Sequence, residues 1–233
     1  MHIIQKMVDD PHKVVLIGES GVGKSCIIAQ FINKSFSEST ISSFTAQFIK
    51  KKLKISDGKE LTFDIWDTAG QEQHRAIARM YYSDAKAVIL VYDITNKKSF
   101  EEIKNYWYLQ VVEKGASDVI FALAANKSDL FQERAVTDEE GKKFAEEIGA
   151  IFAETSAKND SGINELFEHI GKKIIDPSYD YIAAEKNKKM EYMNKKKEEK
   201  KKEEKQKEER KKGVKLNEHK AQNEQKNGKK KCC

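Results

Sequence analysis

Cysteine is scarce in this chain, with three among 233 residues: Cys26, Cys232 and Cys233. The last two are adjacent, a pairing that would close a strained ring, and Cys26 lies far from both. No disulfide framework can staple the fold, so a reducing, intracellular setting is expected. The Asn-x-Ser matches at Asn33, Asn126 and Asn159 are then expected to be chance. Long apolar runs are missing too, and nothing approaches the roughly 20 residues of a membrane span. The opening "MHIIQKMVDDPHK" follows a short apolar start with charge at once and offers no small-residue cleavage site, so no secretory leader is expected. Internal repeats are absent. So is a basic folded body: of 43 Lys+Arg and 38 Asp+Glu, 20 and 12 lie from Asp176 onward, a net of +8, which leaves −3 for Met1 to Ile175. That distribution argues against a nucleic-acid-binding domain.

What is present, from 12 to 175, is an alternation of two patterns. "KVVLIG", "AVILVYD", "VIFALAANK" and "AIFAETS" are short, nearly uniform apolar runs. "GKSCIIAQFINKSF", "FEEIKNYWYLQVVEKG", "DEEGKKFAEEIG" and "GINELFEHIGKKI" carry apolar residues at helical spacing. Strands of that kind alternating with amphipathic helices predict an α/β fold, its mostly parallel sheet covered on both faces. "AQFIKKKLKI" and "ELTFDIWD" flank Asp57-Gly58, a hairpin turn signal that adds one antiparallel edge strand.

Four stretches carry chemistry. "GESGVGKS", residues 18–25, matches G-x-x-x-x-G-K-[ST] between a predicted strand and a predicted helix. Its backbone N–H groups can curl around phosphates, with Glu19, Ser20, Gly21, Val22, Gly23, Lys24, Ser25 and Cys26 as the cradle. Lys24 can reach the β/γ oxygens and the Ser25 hydroxyl can ligate Mg²⁺. Cys26 itself reads as a small buried core residue rather than a reactive thiol. "LTFDIWDTAGQE" ends a strand on Asp67, whose carboxylate can hold Mg²⁺ through water. There Gly70 can donate its N–H to a γ-phosphate and Gln71 can orient an attacking water. "NKSD" follows an apolar strand: Asp129 can accept both N1–H and N2–H₂ of guanine, an arrangement adenine lacks. Asn126 would brace the loop and the Lys127 stem would lie on the ring. In "ETSAK", the set Ser156, Ala157 and Lys158 completes the base site, with the Ala157 N–H meeting guanine O6. Phe36 either covers the base edge or is an ordinary core residue.

In this order and spacing the four stretches resemble the Ras superfamily of small GTPases. With "WDTAGQE", "MYYSDAKAVILVYDIT", "SFEEIKNYW" and the terminal Cys-Cys, the chain looks like a Rab. The resemblance covers residues 12–175. It implies a three-layer P-loop NTPase G domain with a six-stranded sheet, binding GTP/GDP and Mg²⁺ and hydrolysing GTP slowly. It also implies Phe48, Trp66 and Tyr81 as an effector surface, although Phe48 and Trp66 read equally as hairpin core. One stretch departs from the family: "STISSFTAQF" puts Ser43 where Rabs carry a Mg²⁺-binding Thr and Thr45 where they carry Gly. Thr40 and Thr45 remain rival ligands to Ser43. The implied partners are effectors, an exchange factor, a GTPase-activating protein, a prenylation escort and a GDP-dissociation inhibitor. The chain itself is expected to be a monomer. Some Rab activators supply their own glutamine, which bears on the role of Gln71.

The expected organisation is an N-terminal extension (1–11), the G domain (12–175), a Lys/Glu-rich tail (176–231) and a prenylation site at Cys232 and Cys233. Glu→Lys pairs at i,i+4, such as Glu185–Lys189 and Glu191–Lys195, favour partial helix in a solvated tail, and like-charge pairs oppose it. Two lipid chains anchor stably where one does not, and Lys229, Lys230 and Lys231 add attraction to anionic lipid. The reading is a membrane-anchored switch in vesicle traffic, on the cytoplasmic face of an intracellular membrane with a cytosolic pool. The wording of "YYSDAKAVILVYDITN" is similar to endosomal Rabs. Two rivals are a nucleotide-binding module with little hydrolysis, and a metabolic phosphotransferase, which "NKSD" and "ETSAK" oppose.

Overall fold

β-Branched and aliphatic strands that need cover on both faces set the architecture of the chain. In the computed structural model, which describes residues 10–37, 47–55, 59–68 and 80–197, six strands form one sheet. They are β1 (His12–Ile17), β2 (Gln47–Lys54), β3 (Glu60–Asp67), β4 (Ala87–Asp93), β5 (Ile120–Asn126) and β6 (Ile151–Glu154), in the order β2-β3-β1-β4-β5-β6. β4 has a neighbour on each side and is buried at all seven residues, as a strand covered on both faces must be. All pairings are parallel except β2 with β3. That hairpin pairs Lys54 with Glu60, and Ile55 N–H donates to Lys59 O at 2.8 Å. Its tip, with Asp57-Gly58, lies outside the described residues.

Helices cover both faces. On one side α2 (residues 97–114) and α3 (Asp138–Glu147) pack Ile103, Trp107, Val111, Phe144 and Ala145 against Val15, Leu90, Tyr92 and Leu123. α2 runs through Lys97–Glu102, Ile103–Trp107 and Tyr108–Lys114, and its middle segment is wound as a π turn. Sequence periodicity did not anticipate that segment. Elsewhere α1 (Lys24–Asn33) meets α4 (Ile163–Ile175) through stacked rings, with Phe31 and Phe167 centroids 3.8 Å apart. α3 begins on a capping box, in which Thr137 Oγ1 accepts from Glu140 N–H and Thr137 N–H donates to the Glu140 carboxylate. This is why the acidic run "DEEG" opens a helix rather than a loop.

The parallel register brings the strand ends level. Leu16 pairs with Asp67, Asp93 with Asn126, and Ala125 with Glu154. A parallel sheet of this kind collects its loops, and hence its ligand site, beyond the carboxyl edge.

The first compact unit, Met1–Asp180, continues past the last turn of α4. There the Tyr179 hydroxyl lies 2.7 Å from His169 Nδ1 and its carbonyl accepts from Lys173 Nζ at 2.9 Å. In the second unit, Tyr181–Cys233, residues 181–197 are helical. Met190, Tyr192 and Met193 on that helix are at least half exposed. Among the described residues no helix is long and apolar enough to cross a membrane.

Candidate functional site

Three glycines at positive φ, Gly18, Gly21 and Gly23, shape the loop between β1 and α1, and two of them press against neighbouring strands. Gly18 has φ 146°, and a Cβ there would stand 2.2 Å from the Val91 carbonyl oxygen of β4. Gly23, at φ 97°, would place a Cβ 2.4 Å from Asn126 Nδ2. Only glycine combines that backbone with that proximity. α1 then starts without a capping side chain and without an acid in its first turn. No carboxylate of that first turn competes with an incoming anion for the helix N-terminus.

Lys24 heads α1 and is 6% exposed. Its ammonium donates to the Gly18 and Glu19 carbonyls, both at 2.9 Å, across the mouth of the loop. Burial pulls its pKa down from the ordinary 10.5 to about 8, against the opposite pull of the Asp67 and Glu19 carboxylates. A buried ammonium held in this way gains most from an incoming polyanion. Asp67, buried at the end of β3, and Ser25, half-buried on α1, supply hard oxygen donors of the kind Mg²⁺ takes. Thr68 fixes that strand end by donating its hydroxyl to Leu16 O at 2.6 Å. Cys26 is half-buried, which corrects the expectation of a core residue. The core side of α1 belongs to Ile27, Ile28 and Phe31.

Asn126, 2% exposed at the end of β5, joins the loops. Its Nδ2 donates to Val22 O at 2.8 Å, and its Oδ1 accepts from the Thr155 hydroxyl at 3.1 Å. One amide thus ties the phosphate loop to the "ETSAK" loop. Next to it Lys127 adopts φ 63°, and its ammonium pairs with Asp93 Oδ2 at 2.7 Å. Asp129 accepts from the buried Ser156 hydroxyl at 2.5 Å, while Ser156 Oγ accepts from Asn159 N–H at 3.1 Å. Ala157 is buried and Lys158 exposed. Phe36 is 38% exposed, so its core reading falls.

Phe48, Trp66 and Tyr81 form a row, with centroids 5.2 Å apart for the first pair and 5.6 Å for the second. Phe48 is 48% exposed and is not hairpin core, whereas Trp66 and Tyr81 are half-buried. Thr40, Ser43, Thr45, Gly70, Gln71, Cys232 and Cys233 lie outside the described residues.

Three contributors escaped the sequence reading. Asp93, which fixes Lys127, closes β4 at the same level as Asn126, a position that marks it. Thr155 had a signal in its place within "ETSAK". Trp107, whose indole donates to Glu19 Oε1 at 3.0 Å, is 88 residues from its partner and had none.

A model of the Ras family matches residues 13–176. The chain is 44% identical over 168 residues to the Ras-related protein Rab-22A of Homo sapiens, covering 72% of this chain and 84% of that one. To the Ras-related protein SEC4 of Saccharomyces cerevisiae it is 41% identical over 169 residues, 72% and 77% of the two chains. To the GTP-binding protein YPT52 of the same yeast it is 37% identical over 206 residues, 76% and 88%. The sheet order, the glycine cradle and the Asn126 junction fit that match, and the chain belongs to the Ras family, on its Rab branch of small GTPases.

Proposed function

We propose that this Rab-type GTPase is a membrane-anchored switch that hydrolyses GTP to GDP in vesicle traffic. The observation that carries the site is Asn126, a single buried amide bonded to both the Val22 carbonyl and the Thr155 hydroxyl. A ligand that fills a cradle and a base pocket so joined has phosphates at one end and a purine at the other. Asp129, presenting a carboxylate at the base end, selects guanine by accepting its two adjacent N–H donors.

In this reading the α1 N-terminus and Lys24 bind the β/γ oxygens. Ser25 and Ser43 would hold Mg²⁺, with Asp67 reaching it through water, and the ion would supply charge compensation to the phosphates. The Gly70 N–H holds the γ-phosphate and Gln71 orients a water in line with it. Water adds to the γ-phosphorus, the bond to the bridging oxygen breaks, and GDP and phosphate leave. "GESGVGKS" supplies no arginine to the transition state, so the unaided rate is slow and a partner accelerates it. GTP would order the segment around Ser43 and the segment from Gln71 to Tyr82, and hydrolysis would release both. Prenyl groups on Cys232 and Cys233 would hold the protein on the cytoplasmic face of a membrane. An endosomal address is supported by the wording of "YYSDAKAVILVYDITN", which is similar to endosomal Rabs.

Single-turnover hydrolysis with GTP and ATP side by side tests this. GTP should bind and turn over slowly while ATP does neither. Binding of GTP with no turnover would instead favour a nucleotide-stabilised binding module, given Thr45 in place of the family's glycine. In cells, Cys232→Ser with Cys233→Ser should leave the protein cytosolic. A double variant that stays on membranes would move the anchor to the basic tail.

A further inference from the structure

We infer that Trp107 is a positioning residue for the phosphate loop, acting through Glu19; the inference rests on the nucleotide site proposed above. Trp107 closes the π turn of α2 and is 2% exposed. Packing alone would ask only for an aromatic ring there. Instead the indole Nε1 donates to Glu19 Oε1 at 3.0 Å. An indole N–H can only donate and a carboxylate can only accept, so this bond has one sense and is strengthened by the charge. A π turn inserts an extra residue in the helical ring, a device that recurs where helices carry function.

The same glutamate faces the site with its backbone. Its carbonyl is one of the two that the Lys24 ammonium bridges, the other being that of Gly18. When phosphate oxygens draw Lys24 away, both carbonyls lose that ammonium. The Glu19 side chain on Trp107 then holds the first turn of the loop around the nucleotide. Trp107 thereby sets how readily the loop opens and how fast GDP leaves, without touching the nucleotide.

The test is the release rate of a fluorescent GDP from the full chain with Mg²⁺. Trp107→Phe keeps the ring and loses the N–H, whereas Glu19→Ala loses the acceptor. Each should release GDP about tenfold faster, as expected for losing a charge-assisted hydrogen bond. The double variant should be no faster than Glu19→Ala alone, because that variant has already lost the bond that Trp107→Phe cuts. Glu19→Gln keeps an acceptor oxygen without the charge and should release GDP at a rate between those of the wild type and Glu19→Ala. If Trp107→Phe does not fold, the pair Glu19→Ala and Glu19→Gln still decides. Wild-type release from Glu19→Ala, or effects that add in the double variant, would overturn the inference while leaving the nucleotide site intact. A wild-type chain that holds no GDP would overturn both.

Discussion

At the phosphate end of the site, backbone does what side chains do at the base end. Gly18 and Gly23 bend the chain where a Cβ would strike the Val91 carbonyl or Asn126, and the donors proposed there are main-chain N–H groups with Lys24 beside them. At the base end Asp129, Ser156, Asn126 and Thr155 meet through side-chain hydrogen bonds, and Lys127 is held by Asp93. At Gly18 and Gly23 the first construction has no room for a Cβ. The second can lose one bond and keep the rest. Substitutions should therefore act as all-or-none at one end and by degrees at the other.

The largest break is expected at Gly18→Ala. The new methyl would lie 2.2 Å from a carbonyl oxygen in the centre of the sheet, at a φ of 146°. Strand and loop must both shift, so urea unfolding should show a loss of about 3 kcal/mol or more. A wild-type midpoint would mean that the loop has slack the geometry denies.

That contrast also explains how much could be read in advance. "GESGVGKS", "NKSD", "ETSAK" and the Asp67 that ends β3 could be placed at strand ends in advance because each is a short local pattern, while Gly70 and Gln71 lie outside the described residues. The hairpin showed in its turn residues, and the buried strands in their uniform apolar runs. The π turn was not legible, because Ile103–Trp107 keeps an ordinary helical spacing of apolar residues. Nor was the Trp107–Glu19 bond, whose partners meet only after the sheet has formed. Cys26 was misread because helical spacing does not say which side of α1 faces the core when Ile27 and Ile28 follow at once. Phe36 was left open for lack of any local sign of its exposure.

The phosphate end can be sharpened through pH. The Lys24 pKa is lowered to about 8 in the unliganded protein, and bound phosphates should raise it again. The lysine therefore takes up a proton on binding whenever pH exceeds about 8, and its charge is already in place below that. Affinity for GDP, measured without Mg²⁺, should be flat near pH 7 and fall towards pH 9, by at most about tenfold per unit. In Lys24→Arg the charge persists, so its profile should stay flat whatever its absolute affinity. Parallel profiles for the two proteins would remove Lys24 from the phosphate contact.

The smallest of these effects belongs to Ser156→Ala. Asp129 would lose its 2.5 Å bond from the hydroxyl while Asn126 still holds Thr155. GDP affinity should weaken roughly threefold to tenfold by titration, with the fold intact. A collapse comparable to that of Gly18→Ala would show that the base end is as brittle as the phosphate end.

The central claim, that Asp129 reads a guanine, is tested most directly by Asp129→Asn titrated with GDP and XDP. Asparagine offers one acceptor and one donor where the carboxylate offered two acceptors, which suits the carbonyl that xanthine carries in place of guanine's amino group. GDP affinity should fall by about a hundredfold while XDP becomes the preferred ligand. Unchanged GDP affinity, with no gain for XDP, would contradict the assignment of the base end.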